Sequence, residues 1–178
     1  METIITTLKP FFNKPHENYH IREIARITKI NHTTVRKYLN KFVKEDVLQK
    51  KPSKPYTVFC ADTKSKKYLN LKLFYNLEKL RKSKLVEKLE EVYEYPVIVL
   101  FGSYAKSADD DRSDIDIFVL TSIKKGFDQK PFEKILQRDI SLHLFSEKKF
   151  NRARTKNPEL INSICNGITL SGQLEVLR

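Results

Sequence analysis

The sequence predicts an α+β protein in two parts: an α-rich first half, then a half in which short strands and helices alternate. Three observations carry that prediction. Apolar residues recur at helical spacing through most of the first 93 residues. After Pro96 the pattern changes to short apolar strands separated by polar turns. The charge divides at nearly the same place, with 21 Lys and Arg against 10 Asp and Glu in residues 1–91, but 13 against 12 in residues 92–178. A chain of 178 residues is long enough to bury two small cores.

In the first half, Ile4, Ile5, Leu8, Phe11 and Phe12 predict a helix that Asn13-Lys14-Pro15 ends. Ile21, Ile24, Ala25 and Ile27 give the apolar face of a second helix over residues 21–29. A turn at residues 30–33 leads into a third, over residues 34–45, whose buried stripe is Val35, Leu39, Phe42 and Val43. Residues 49–60 read as a basic, Pro-containing loop feeding a strand of alternating Tyr, Thr, Val and Phe. From Lys64 to Tyr93 there is no Gly or Pro, and leucines at 69, 73, 77, 80, 85 and 89 predict a long connecting helix. A bend or break is expected near Ser83.

In the second half, Val97–Phe101 is a buried strand and Gly102-Ser103 turns the chain into a helical stretch. Asp109–Arg112 reads as a solvated polar loop before a second strand, Ile115–Leu120. A short helix over 131–137 and a third strand, Ile140–Phe145, follow. Ser146 is placed to cap the next helix, and Pro158–Asn166 is a last helix closing at Gly167.

Composition excludes several classes. The longest apolar run, Val97–Phe101, is far too short to span a bilayer. The segment METIITTLKPFFNKP has no basic leader before a long apolar stretch, so a cytoplasmic location and no membrane partner are expected. Cys60 and Cys165 make neither a metal spacing nor a disulfide framework, and Cys165 is expected in the core. His16, His20 and His32 lack metal spacing and suit surface or capping roles.

Residues 20–62 carry the helix, turn, helix and hairpin order that a winged helix-turn-helix needs. With Val35, Leu39 and Phe42 turned inward, Thr33, Thr34, Arg36, Lys37, Asn40 and Lys41 point outward. Arg and Lys can read guanine edges or bind phosphate, and Lys50, Lys51 and Lys54 are expected at the wing tip. The segment HIREIARITKINHTTVRKYLNKFVKEDVLQKK resembles the winged helix-turn-helix domains of prokaryotic transcription regulators. Double-stranded DNA is the partner expected for this half.

The chemical signal lies in FGSYAKSADDDRSDIDIFVL: Gly102-Ser103, ten residues, then Asp114-Ile115-Asp116. A glycine at a strand end lets a phosphate approach the backbone, where Ser103 and the following amides can donate to it. Residues two apart on a strand share a face, so Asp114 and Asp116 would project together. Two adjacent carboxylates repel unless a cation lies between them, and Mg²⁺ bridging to a triphosphate is the natural one.

This stretch resembles the polymerase-β-like nucleotidyltransferase superfamily, in particular its minimal members from archaea and bacteria. EKILQRDISLHLFSEKKF and NPELINSICNGITLSG extend the resemblance over roughly residues 93–172. The resemblance implies Asp114 and Asp116 as catalytic metal ligands, Gly102, Ser103 and Lys106 at the nucleotide, Mg²⁺ as cofactor and an NTP, ATP foremost, as substrate. Two departures stand out. The apolar–Asp–apolar setting of the usual third carboxylate is Leu142-His143-Leu144, and Asp139 lies about 13 Å back along the strand. His143 is therefore a candidate proton acceptor or a plain strand residue. Lys106-Ser107 stands where active members often have Arg-Gly.

The expected organisation is a winged helix-turn-helix domain over 1–63, a connecting helix over 64–92 and a minimal nucleotidyltransferase domain over 93–178. Three functions remain open. One is NMP transfer to a protein or other hydroxyl acceptor, antitoxin-like, with the acceptor encoded nearby. Another is a DNA-binding regulator whose degenerate transferase domain senses nucleotide. The third is a nucleic-acid-modifying transferase whose basic half grips its substrate. A homodimer is compatible with all three.

Overall fold

The computed structural model describes residues 2–53 and 56–175 and is a mixed α+β fold with two sheets. The chain divides into two compact units at Tyr75 and Asn76.

The first unit begins with α1 (Glu2–Asn13), α2 (Ile21–Thr28) and α3 (His32–Lys44). At the start of α2 the His20 amide donates to the Glu23 carboxylate at 2.7 Å, which satisfies one of the free N–H groups of the first turn. The α3 helix starts two residues before the expected Thr34. Asn31 caps it, accepting the Thr33 N–H at 2.9 Å and the Thr33 hydroxyl at 2.7 Å. An antiparallel hairpin follows, β1 (Leu48–Ser53) and β2 (Tyr56–Ala61), in register from Leu48↔Ala61 to Ser53↔Tyr56. Residues 49–53, expected as loop, are therefore strand, with Pro52 on the outer of its two strands. Tyr19 adds an antiparallel bridge to Phe59 on the other side of β2.

Leu8, Phe11, Phe12, Ile24, Val35, Leu39 and Phe42, from the stripes that helical spacing singled out, make the core with Leu48 and Phe59 of the hairpin. Ile27 is the exception on α2, 53% exposed rather than facing inward. Tyr68 closes this core, fully buried, with its hydroxyl donating to the Phe11 carbonyl at 2.8 Å.

Tyr68 comes from α4 (Lys66–Ser83), which is followed at once by α5 (Leu85–Tyr93). The expected break is at Lys84, whose φ of 62° takes it out of the helix. Ser83 holds the joint: its hydroxyl donates to the Leu80 carbonyl at 2.6 Å and accepts the Leu85 amide at 3.3 Å.

The second unit adds β3 (Val97–Phe101), α6 (Gly102–Ala105), β4 (Ile115–Leu120), α7 (Lys130–Leu136), β5 (Ile140–Phe145), α8 (Glu147–Lys156), α9 (Pro158–Cys165) and β6 (Ile168–Ser171). The sheet order is β5-β4-β3-β6, with β4 and β5 parallel and the other pairs antiparallel. The sequence reading did not anticipate β6. It follows Gly167, where a β-carbon would lie 2.5 Å from the Leu100 carbonyl oxygen, so only glycine lets the chain turn this close to the sheet.

Period-two alternation gives the sheet two apolar faces. Ile98, Leu100, Ile115, Ile117 and Val119 pack with Leu80, Leu85, Leu89, Tyr93 and Leu136. Val99, Phe101, Phe118 and Phe145 pack with Phe150, Ile161 and Ile164. Cys165, expected in the core, is exposed at the end of α9. No helix among the described residues is long and apolar enough to cross a membrane.

Candidate active site

The second face of the sheet carries polar groups at one end. Along β4, Asp116 shares a face with Phe118, and its paired residues are Phe101 on β3 and Ser141 on β5. Phe101, Phe118 and Phe145 each contribute about 1.5–3 kcal/mol by burial.

Gly102 makes the place for the Asp116 carboxylate. The chain leaves β3 with Gly102 at φ +73°, a conformation that side chains resist. A β-carbon there would collide with Oδ2 of Asp116 and approach its Cγ to 3.0 Å. The carboxylate therefore rests against the bare backbone of the Gly102-Ser103 turn. Partial burial raises the carboxyl of Asp116 above its ordinary range, His143 lowers it, and the like charge of Asp114 raises it. The structure thus brings Gly102, Asp114 and Asp116 together, with Ser103 beside Gly102 on the single turn of α6. Lys106 ends that turn as an exposed side chain.

His143 faces the same side, half-buried, its ring edge-on to Phe101 at 5.2 Å between centroids. Burial lowers its pKa, the Asp116 carboxylate raises it, and Lys149 lowers it. In the register, however, His143 pairs with Phe118, and the β5 residue beside Asp116 is Ser141. The Ser141 hydroxyl lies 3.1 Å from Nε2 of His143. Sequence reasoning passed over Ser141. The polar alternation Ser141–His143 within an apolar strand is the signal that could have found it.

The loop between Gly-Ser and the aspartates exposes Asp111 and Arg112, as a solvated turn would, but Asp109 turns inward. Asp109 is 1% exposed. It accepts Nδ2 of Asn76 at 2.9 Å and pairs with Arg138 at 3.6 Å. Asn76 Nδ2 also donates to the Tyr104 carbonyl at 3.1 Å, and Arg138 to the Ser113 carbonyl at 3.4 Å. Downstream, Asp110 accepts the Arg112 amide at 2.9 Å and the Ser113 hydroxyl at 3.1 Å, which holds its carboxyl below the usual range. The loop therefore delivers Asp114 from a fixed frame. Asp139 is exposed, and its carbonyl accepts the Ile115 amide at 2.9 Å.

Among the described residues no three His, Cys, Asp or Glu side chains converge as a metal-binding group. Asp114 and Asp116 alone offer an all-oxygen, doubly anionic donor pair of the kind a hard divalent cation takes. The pair fits Mg²⁺ by the chemistry of its donors and by the like charge that Asp114 places near Asp116.

In the first unit Arg36, Lys37 and Lys41 are exposed on α3, opposite Val35, Leu39 and Phe42. Lys41 is partly offset by Glu45 at 3.7 Å. Thr33 is exposed but its hydroxyl is given to Asn31, and Thr34 is half-buried. Lys50 and Lys51 are exposed within β1, opposite Phe59 and Val58, rather than at a wing tip. As consecutive strand residues they point to opposite faces. Lys54 lies outside the described residues.

A search of curated proteins finds no match to the chain. The sequence model of the family described as "Polymerase beta, Nucleotidyltransferase" matches residues 83–173, just over half of the chain. That span contains the Gly102-Ser103 turn, Asp114 and Asp116 and all four strands of the second sheet. The chain belongs to the polymerase beta nucleotidyltransferase family.

Proposed function

We propose that the protein is a Mg²⁺-dependent nucleotidyltransferase that moves a nucleoside monophosphate from an NTP, ATP foremost, to a hydroxyl acceptor such as a protein encoded nearby. The observation that carries this reading is the seat of the Asp116 carboxylate against Gly102. It sets a metal-ligand pair beside a backbone turn that a phosphate can approach. In this reading Asp114 and Asp116 hold the cation, and Ser103 with the turn amides holds phosphate oxygens. Lys106 adds positive charge without the planar fork of an arginine. When bound, Mg²⁺ neutralises triphosphate charge and favours in-line displacement at the α-phosphorus. Incubation with labelled ATP and Mg²⁺ tests the reading: transfer should occur in the wild type and vanish in Asp114→Ala. Absence of both transfer and ATP·Mg²⁺-dependent stabilisation would overturn it.

The first unit is proposed as a winged helix-turn-helix that binds double-stranded DNA through α3. The exposed Arg36 and Lys37 and the strand lysines support this. Binding by the whole chain should fall steeply with salt, because phosphate contacts release counterions. The double variant Arg36→Glu, Lys37→Glu should weaken it at least tenfold, about 1.4 kcal/mol. Salt-independent binding, or an indifferent variant, argues for a protein-interaction module.

A second reading has its own observation: Asp116 is flanked on β5 by Ser141, with no third carboxylate beside it. On that reading the transferase unit senses nucleotide for a DNA-binding regulator. Nucleotide-dependent stabilisation without transfer to any acceptor would favour it.

A further inference from the structure

We propose that Ser141 is an internal acceptor, to whose hydroxyl the chain transfers a nucleoside monophosphate. The proposal rests on the nucleotidyl-transfer reading of the Gly102–Asp116 site. Three features converge on Ser141. It is the residue of β5 that pairs with Asp116, and neighbouring strands lie about 4.8 Å apart, so the two side chains are adjacent on one face. Its hydroxyl is 3.1 Å from Nε2 of His143, the arrangement of a weak hydroxyl nucleophile beside a base. The base is fixed in turn, because the His143 ring stands edge-on to Phe101.

Two other hydroxyls of the unit are committed to neighbours. Ser113 donates to Asp110, and the Tyr104 hydroxyl donates to the Asn76 carbonyl at 3.4 Å. Ser141 is only partly buried. In the step itself, Ser141 Oγ forms a bond to the α-phosphorus of the NTP. The bond from that phosphorus to the oxygen bridging to the β-phosphate breaks, and pyrophosphate leaves. The hydroxyl proton passes to Nε2 of His143. The product is a phosphodiester joining Ser141 to the nucleoside.

The test uses the full chain with ATP and Mg²⁺, read by intact mass and peptide mapping. The wild type should gain one AMP adduct on the peptide containing Ser141. Ser141→Ala should lose the adduct and Ser141→Thr should keep it, with melting temperatures checking that each variant folds. In the metal-free protein, Ser141→Ala should also shift the ¹⁵N resonance of His143 Nε2. An adduct on another residue, its persistence in Ser141→Ala or an unmoved His143 resonance overturns the proposal. So does a wild type that stays unlabelled while transferring AMP to an added acceptor, or while gaining Asp116-dependent stability from ATP·Mg²⁺; the transferase or nucleotide-binding reading then stands. If Asp116-dependent stabilisation and all transfer are absent, both fall together.

Discussion

The loop that carries Asp109 and the strand that carries Asp116 solve the same problem in opposite ways. Each withdraws a carboxylate from water in one small unit. Asp109 receives an amide donor from Asn76 and a guanidinium from Arg138, both buried with it. Asp116 receives a second carboxylate, Asp114, and a half-buried imidazole. Buried charges are costly unless paired, so a fold retains such a group either with a partner or for a task. Asp109 is framework. Among the described residues Asp116 has no such cationic partner, and partial burial raises its carboxyl above the ordinary range.

The comparison can be broken most sharply at Asp109. Asp109→Ala leaves Arg138 buried without its carboxylate, which should cost about 3–5 kcal/mol, a large part of a typical domain's stability. Denaturant unfolding would measure it, and a loss under 1 kcal/mol would mean Asp109 is not framework. At Asp116 the opposite outcome is expected. Asp116→Asn should leave the metal-free protein as stable as wild type or more so. The same change should reduce nucleotidyl transfer at least a hundredfold, about 2.7 kcal/mol in the barrier. A variant that loses stability but keeps activity would exchange the two roles.

His143→Asp sharpens the contrast by adding a third carboxylate to the unpaired group. Transfer to an added acceptor should rise about tenfold, 1.4 kcal/mol, while labelling of Ser141 falls and the metal-free protein loses stability. If the variant instead loses an efficient wild-type transfer to an added acceptor, His143 is catalytic in that reaction as well. The smallest effect is on pH. A carboxyl whose pKa is raised on folding binds more protons in the native state between its unfolded and folded pKa values. Metal-free wild type should therefore lose stability as pH rises through that window above the ordinary Asp range, and Asp116→Asn should lack this component. Thermal melts of both proteins across pH 3–7, without metal, would show the difference (the window follows the usual Asp pKa of about 3.9).

Much of this fold was legible because its elements are amphipathic. Val35, Leu39 and Phe42 on α3, and Ile115, Ile117 and Val119 on β4, show the right period and are buried. The Gly102-Ser103 and Asp114–Asp116 spacing was legible for a different reason: each residue type there answers a chemical demand. Asp109 was misread because its partners lie 33 residues before it and 29 after, and nothing local distinguishes it from Asp110 or Asp111. The strand β1 was hidden by Lys50, Lys51 and Pro52, residues that a two-stranded hairpin tolerates at its edge. Four-residue β6 is too short for a period to register, and its place is set by Gly167 fitting under Leu100. The alternation of Ser141 and His143 was visible in β5, but that Ser141 and not His143 pairs with Asp116 needed the strand register.

The α4 helix is shared property. Tyr68 near its start fills the core of the first unit, and Leu80 near its end belongs to the core of the second. Severing the chain at residue 63 would strip the first core of Tyr68 and leave the Phe11 carbonyl without its buried donor. One helix thus supplies a buried residue to each of the two cores. Grafting either half onto another protein has to carry its share of α4 along.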